Sequence, residues 1–269
     1  MYKYNGKTAL ITGASTGIGA EFARKLAKRG MNVILVARSA DKLQALAAEL
    51  KNIKATVIPL DLTLPDAASI VRKKVSELEL QVDLLVNNAG FGTFGPFEAM
   101  DPELERNEIQ LNVVALVDLT HAFIQPMLER GEGAVINVAS VAAHQPVPYL
   151  AVYAATKAFV LSFSEALWAE YKDRGIRVLS LNPGATKTEF HSVAKMPENF
   201  MMESVSTVVD TGLKALEEGK SVAICGLGNA VMAGFLQRLV PREQVALVAK
   251  KIMGSRLPKA KAHTEKENS

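Results

Sequence analysis

One cysteine in 269 residues, Cys225, leaves no internal disulfide to form, which fits a reducing compartment. That thiol ends the strand-like run Ser221-Val-Ala-Ile-Cys225, where a core side chain is expected rather than a nucleophile. Charge of one sign is scarce too. Net charge is +3, and the 31 lysines and arginines are dispersed without interleaved aromatic residues, so no nucleic-acid partner is expected. No run of about eighteen apolar residues occurs, and Met1-Tyr-Lys-Tyr-Asn-Gly-Lys7 holds no signal-peptide core, so a soluble, cytoplasmic protein is expected. There is no internal repeat, no linker rich in Pro, Gly or Ser, and no metal site is expected.

What is present is a large apolar fraction, 49%, arranged in alternation. Strand-like runs stand at 8–12, 32–37, 56–60, 84–87, 134–138, 177–181 and 221–224, with helical patterns at 41–50, 66–78, 102–128, 153–171 and 204–217 between them. Apolar strands separated by helices demand a parallel sheet covered on both faces. The expectation is therefore an α/β fold of one domain: a doubly wound, seven-stranded parallel sheet of Rossmann type. Residues 1–226 would form it, with a substrate loop at 184–203. An extension at 227–255 would add two short amphipathic helices, marked by Val231, Phe235, Leu239 and then Val245, Val248, Ile252, and 256–269 reads as a polar, frayed tail. The extension reads as a cap over the substrate mouth or a subunit contact; membrane-surface contact aided by Lys250, Lys251, Lys259 and Lys261 is the less favoured reading.

The first strand runs into Thr12-Gly-Ala-Ser-Thr-Gly-Ile-Gly19 and then a helical pattern. Glycines at 13, 17 and 19 let the backbone turn tightly and approach a pyrophosphate at a helix N-terminus, where unpaired N–H groups and the macrodipole favour anions. Ligands of such sheets bind at the carboxyl ends of strands, which gathers this turn, Asn87 and Ser140 along one crevice.

Ser140 precedes Tyr153-Ala-Ala-Thr-Lys157 by thirteen residues. A Tyr and a Lys four apart share a helix face, so the ammonium can favour the phenol's anion. A free phenol ionises near pH ~10, and bringing it to about 7 takes roughly 4 kcal/mol, more than one surface charge supplies. A buried Lys together with an oxidised nicotinamide could supply it.

These elements together resemble the short-chain dehydrogenase/reductase family over roughly residues 5–226. The family's T-G-x-x-x-G-x-G stands at 12–19 and its Asn-Asn-Ala-Gly at 87–90; Asn112, Ser140, Tyr153, Lys157 and Asn182-Pro-Gly-Ala-Thr-Lys-Thr188 follow in order. The resemblance implies that Tyr153 donates the proton in reduction and accepts it in oxidation. It implies that Lys157 lowers the phenol's pKa and binds the nicotinamide ribose, that Ser140 positions the substrate oxygen, and that Asn112 holds a relaying water. It places a dinucleotide against Gly13, Ser15, Thr16, Gly17, Ile18 and Gly19, against Asp61 and Leu62, against Asn88, Ala89 and Gly90, and against Pro183, Gly184, Thr186 and Thr188. Read without the family, Asn87 and Asn88 cap a turn, Asp61 is a turn residue before Thr63, and Asn112 sits unfavourably inside a helix. A homodimer or homotetramer through the helices at 102–128 and 153–171 is a further implication.

Strand two ends in Ala37-Arg38-Ser39, with no carboxylate for the 2'-hydroxyl of NAD. A guanidinium there can pair a 2'-phosphate, with Ser39 and Ser15 adding hydroxyls, so NADP(H) is expected. Ser39 also suits the N-cap of the following helix, a role compatible with the first. Across the crevice, Phe91, Thr93 and Phe94, then Ala142, His144, Pro146 and Tyr149, then Phe190, Met196 and Phe200 make a largely apolar wall, suited to a hydrophobic ketone or alcohol. His144 reads as a rim residue. The segment 30–43 further resembles hydroxysteroid dehydrogenases and long-chain 3-ketoacyl reductases, which implies a steroid or acyl substrate. Two rival functions remain: a nucleotide-sensing protein without turnover, and a nucleotide-sugar epimerase, against which the short region after Pro183 counts.

Overall fold

All seven apolar runs become strands of one parallel sheet in the computed structural model, which describes residues 2–188, 202–226, 228–229 and 240–257. The strands are β1 (Thr8–Thr12), β2 (Asn32–Ala37), β3 (Ala55–Pro59), β4 (Leu84–Asn87), β5 (Gly133–Val138), β6 (Ile176–Asn182) and β7 (Val222–Ile224), in the order β3-β2-β1-β4-β5-β6-β7. The order reverses between β1 and β4, so their carboxyl ends diverge into a crevice. Helices follow as α1 (Gly17–Lys28), α2 (Ala40–Glu49), α3 (Ala67–Glu77), α4 (Pro102–Ile109), α5 (Ala115–Arg130), α6 (Ala151–Tyr171), α7 (Val205–Glu217) and α8 (Arg242–Gly254).

Strand side chains alternate between two apolar layers. Ile11, Leu35 and Val86 meet Phe22 and Leu26 of α1, Leu43 of α2 and Leu213 of α7 on one face. Leu10, Ile34 and Leu85 meet Val71 of α3 and Leu119, Phe123 and Met127 of α5 on the other. Each such side chain contributes roughly 1.5–3 kcal/mol on burial. A polar network interrupts this core near the carboxyl ends of β4 and β5. Asn87 Nδ2 donates to Asn137 Oδ1 (2.9 Å) and Thr120 Oγ1 (3.1 Å), and Asn137 Nδ2 donates to Ser164 Oγ (2.9 Å). Those bonds tie both strands to α5 and α6 where the crevice opens.

The single helix expected over 102–128 is instead α4, a π-helical turn at Gln110–Val114, and α5. The wider turn carries the buried Asn112, whose side chain bonds outside its own helix, and π turns of this kind concentrate at functional sites. The stretch Pro102–Arg130 is long and apolar enough to span a membrane by length and composition alone. Here its apolar face packs on the sheet. Ser39 holds the N-cap position of α2, as expected, but its hydroxyl makes no capping bond. In α8 the expected apolar stripe is also corrected: Val248 and Ile252 are exposed, whereas Ala249 and Met253 turn inward. The partner surface that α8 covers selects a different stripe from the one spacing suggested. The first helix of the extension (Val231, Phe235, Leu239) lies outside the described residues.

Candidate active site

Where β1 ends, Gly13 and Gly17 adopt φ of +62 and +56, backbone that favours glycine. A Cβ on Gly19 would lie 2.3 Å from the Gly13 carbonyl oxygen, and one on Gly13 2.8 Å from Asn88 Nδ2. Turn, helix α1 and the β4 turn are therefore in contact without room for side chains. Thr12 Oγ1 accepts from the backbone N–H of Asn88 (2.9 Å) and Ala89 (3.0 Å), while Asn88 Nδ2 donates to the carbonyls of Thr12 (2.9 Å) and Gly13 (3.2 Å). Asn88 thus braces the glycine turn as well as facing the crevice. Thr16, the N-cap of α1, makes no side-chain capping bond, so the helix's leading N–H groups stand ready for an anion.

From this turn a cavity of about 670 Å³ extends along the strand ends to α8, a volume suited to a cofactor with substrate. Every expected nucleotide contact lines it except Gly19, which lies behind the turn. Arg38, three-quarters exposed, holds Nη1 4.0 Å from Asp61 Oδ2, and Asp61 Oδ1 accepts from the backbone N–H (3.0 Å) and hydroxyl (2.9 Å) of Thr63. The turn-residue reading of Asp61 holds, and Asp61 also lines the cavity. A cradle that a Cβ would fill, an uncapped helix start and a cationic rim fit a dinucleotide.

Beyond the glycine turn lie the candidate reactive groups. The Ala139 N–H donates to Leu181 O (2.8 Å) and the Val141 N–H to Pro183 O (2.9 Å), which prolongs the β5–β6 pairing and fixes Ser140. Ser140 Oγ accepts from Ala142 N–H (3.1 Å) and is hydrogen-bonded with the Tyr153 phenol. Lys157, buried one turn on, donates to Val138 O at 2.9 Å and sits 5.8 Å from the Tyr153 ring centroid. From the protein's own groups, burial pushes the phenol up to about 12 against the lowering effect of the Ser140 bond, and burial lowers the ammonium to about 8. Within the protein alone, desolvation therefore keeps the phenol well above neutrality. Asn112 does not line the cavity. Its Nδ2 donates to Phe91 O (2.9 Å) and Thr156 Oγ1 (3.1 Å) and its Oδ1 accepts from Phe91 N–H (3.1 Å), so both amide donors are committed to the protein. The expected water at Asn112 has only the carbonyl's second lone pair to meet.

A family model described as short chain dehydrogenase matches residues 7–198. The chain belongs to that family. It is 35% identical over 227 residues to the very-long-chain 3-oxoacyl-CoA reductase of Macaca fascicularis, covering 80% of this chain and 71% of the relative. To 17-beta-hydroxysteroid dehydrogenase type 3 of Mus musculus it is 33% identical over 242 residues, 88% of this chain and 77% of the relative. Among solved structures, a short-chain dehydrogenase from Sphingobium yanoikuyae in complex with NADPH matches with a TM-score of 0.79 at 33% identity, over 96% of this chain and 99% of that one. This short-chain dehydrogenase is accordingly an oxidoreductase working between hydroxyl and carbonyl groups with a nicotinamide cofactor.

On its substrate side, Phe91 and Ala142 line the cavity as expected, but Thr93, Phe94, His144, Pro146 and Tyr149 do not. Thr93 is buried and donates to Glu108 Oε2 at 2.9 Å. Phe94 packs with Val147, Leu150 and Met253 in a small apolar cluster that Tyr149 also joins. Tyr149 takes φ +68, and a Cβ on Gly254 would come within 3.3 Å of its ring, so its work is to seat α8. His144 is partly buried, which lowers its pKa. Phe190, Met196 and Phe200 lie outside the described residues. Lining residues that sequence reasoning missed include Lys42, Leu104, Val147, Leu150, Met253 and Arg256. Helical spacing had marked α8 as amphipathic, yet nothing local told that Met253 and Arg256 point over the crevice. Cys225 is buried and its thiol is pushed up to about 12, which suits the core role expected of it.

Proposed function

We propose that this protein is an NADP(H)-dependent carbonyl reductase acting on a hydrophobic ketone, with Ser140, Tyr153, Lys157 and Asn112 as its working set. One observation carries the reading: a phenol bonded to Ser140 and flanked by a buried ammonium, at the end of a cavity that begins in a glycine turn. A bound nicotinamide would supply the hydride, or take it up in the reverse direction. Ser140 would then hold the substrate oxygen, and Tyr153 would pass its proton to the oxyanion as it forms. With its pKa pushed up to about 12, the phenol is protonated at neutral pH, the form that can donate a proton. Lys157 would hold the nicotinamide ribose, and Asn112 would fix the Phe91 backbone at the cavity edge.

Arg38, with Ser15, Ser39 and Lys42 around it, supports NADP(H) over NAD(H), as does the NADPH carried by the matched structure. The apolar mouth formed by Leu104, Val147, Leu150 and Met253 supports a hydrophobic substrate. The relatives' names point to 3-oxoacyl and steroid skeletons, both long and apolar. In this reading α8 belongs to the one domain as a cap over the mouth. Exposed Ile109, Val114 and Phe159 on the α4–α6 side support a homo-oligomer.

The test is oxidation of NADPH across a panel of 3-oxo esters, 3-oxoacyl thioesters and ketosteroids, with Tyr153→Phe alongside. Turnover that falls about 10²–10⁴-fold in the variant, while NADPH binding persists, is expected. Binding by the wild type without turnover of any ketone would instead favour a nucleotide sensor.

A further inference from the structure

The reaction just described leaves one buried acid unused. Glu108 in α4 is fully buried. Its Oε2 accepts from Thr93 Oγ1 at 2.9 Å, and its Oε1 has no hydrogen-bond partner among the described residues. Buried carboxyl oxygens are ordinarily paired, so an orphan of this kind calls for a reason. Glu108 lies four residues before Asn112, just ahead of the π-helical turn, and α4 packs against α6, which carries Tyr153 and Lys157. The charged and titratable groups that act on it are Lys157 from α6 and Glu105 from α4 itself, and it in turn acts on Tyr153. The Lys157 ammonium donates to an uncharged acceptor, the Val138 carbonyl.

We propose that Glu108 is a positioning residue for the reductase reaction: its carboxylate is the counter-charge that keeps the buried Lys157 an ammonium and Tyr153 a proton donor. The inference rests on the reductase reading for its consequence in turnover, and on the geometry of α4 and α6 for the rest. Burial, the largest cause, raises Glu108 to about 7 and lowers Lys157 to about 8, each group opposing the shift of the other, so both are charged between about 7 and 8. Ionised Glu108 raises the pKa of both Lys157 and Tyr153. Loss of that charge therefore lets the ammonium and the phenol lose their protons at lower pH.

The experiment compares wild type with Glu108→Gln, an isostere of the neutral acid, in kcat/KM for NADPH-dependent reduction of ethyl 3-oxooctanoate against pH. The two profiles are expected to coincide near about pH 6 and separate above about 7, the variant's alkaline limb lying at least half a unit lower. Thr93→Val removes the donor that favours the Glu108 carboxylate, and should move the limb in the same direction by less. Superimposed profiles, a loss equal at every pH, or a limb moved upward would overturn the proposal. NADPH affinity followed by nicotinamide fluorescence over the same range is a second readout that needs no turnover. There the affinity of Glu108→Gln should fall at lower pH than that of wild type, and identical pH dependence would refute the role of Glu108 even if no ketone is reduced. Wild type that binds NADPH but turns over nothing overturns the reductase reading alone.

Discussion

Gly90 stands where any side chain would press on Asn112: a Cβ there would lie 2.7 Å from Asn112 Oδ1 and 3.4 Å from Lys157 Nζ. The turn after β4, the π-helical turn and the ammonium on α6 thus converge on one point with no space between them.

Gly90→Ala should accordingly displace Asn112 from the Phe91 backbone and from Thr156. Overpacking of this kind costs about 1–3 kcal/mol, and kcat should fall more than tenfold as Lys157 shifts. Thermal unfolding and steady-state rates read the two effects separately; an alanine variant with wild-type stability and rate would mean that the contact is soft.

Arg38→Asp should transfer nucleotide preference. A charge-assisted bond to a 2'-phosphate is worth about 1.5–3 kcal/mol, so KM for NADPH should rise about 10–100-fold. KM for NADH should fall, because the new carboxylate can accept from a ribose hydroxyl. Unchanged selectivity would leave Arg38 a solvated partner of Asp61.

Ser140→Ala carries a pH signature. Burial holds the Tyr153 phenol up at about 12 even with the Ser140 bond lowering it, so loss of that bond raises the phenol further. Alcohol oxidation needs the anion, and its acid limb should move to higher pH. Ketone reduction needs the phenol; its rate should fall by about 10²-fold with the lost oxygen contact, while its alkaline limb extends upward. Limbs that stay in place would show that the hydroxyl touches substrate without acting on the phenol.

Met253 is buried against Phe94, Val147 and Leu150 and also lines the cavity. Met253→Trp should narrow the mouth, so that kcat/KM for a ketosteroid drops at least tenfold while that for a small methyl ketone changes less. Equal losses for both would point to a general disturbance of α8 instead of a cap over the substrate.

The strands and the glycine turn could be read locally because burial on both faces leaves an unbroken apolar signature, and because only glycine tolerates the positive φ at Gly13 and Gly17. The Tyr153, Lys157 and Ser140 set was legible for a similar reason: spacing along α6 and position after β5 fix which side chains can share a face. Less was legible where contacts come from remote segments. Phe94 and Tyr149 looked like pocket residues from their place in loops, yet they seat α8; Met253, outside the stripe that helical spacing marked, faces the crevice.

Amino-acid order by itself determined the alternation of strand and helix, the glycine turn and the shared helix face of Tyr153 and Lys157, since each depends on periodicity and backbone freedom within a few residues. Tertiary structure alone decided which stripe of α8 turns inward, where the Asn112 amide spends its bonds, and that Glu108 is buried where its charge acts on Lys157 and Tyr153. Those outcomes depend on what lies opposite a side chain, and desolvation and Coulomb effects act across space without regard to separation along the chain.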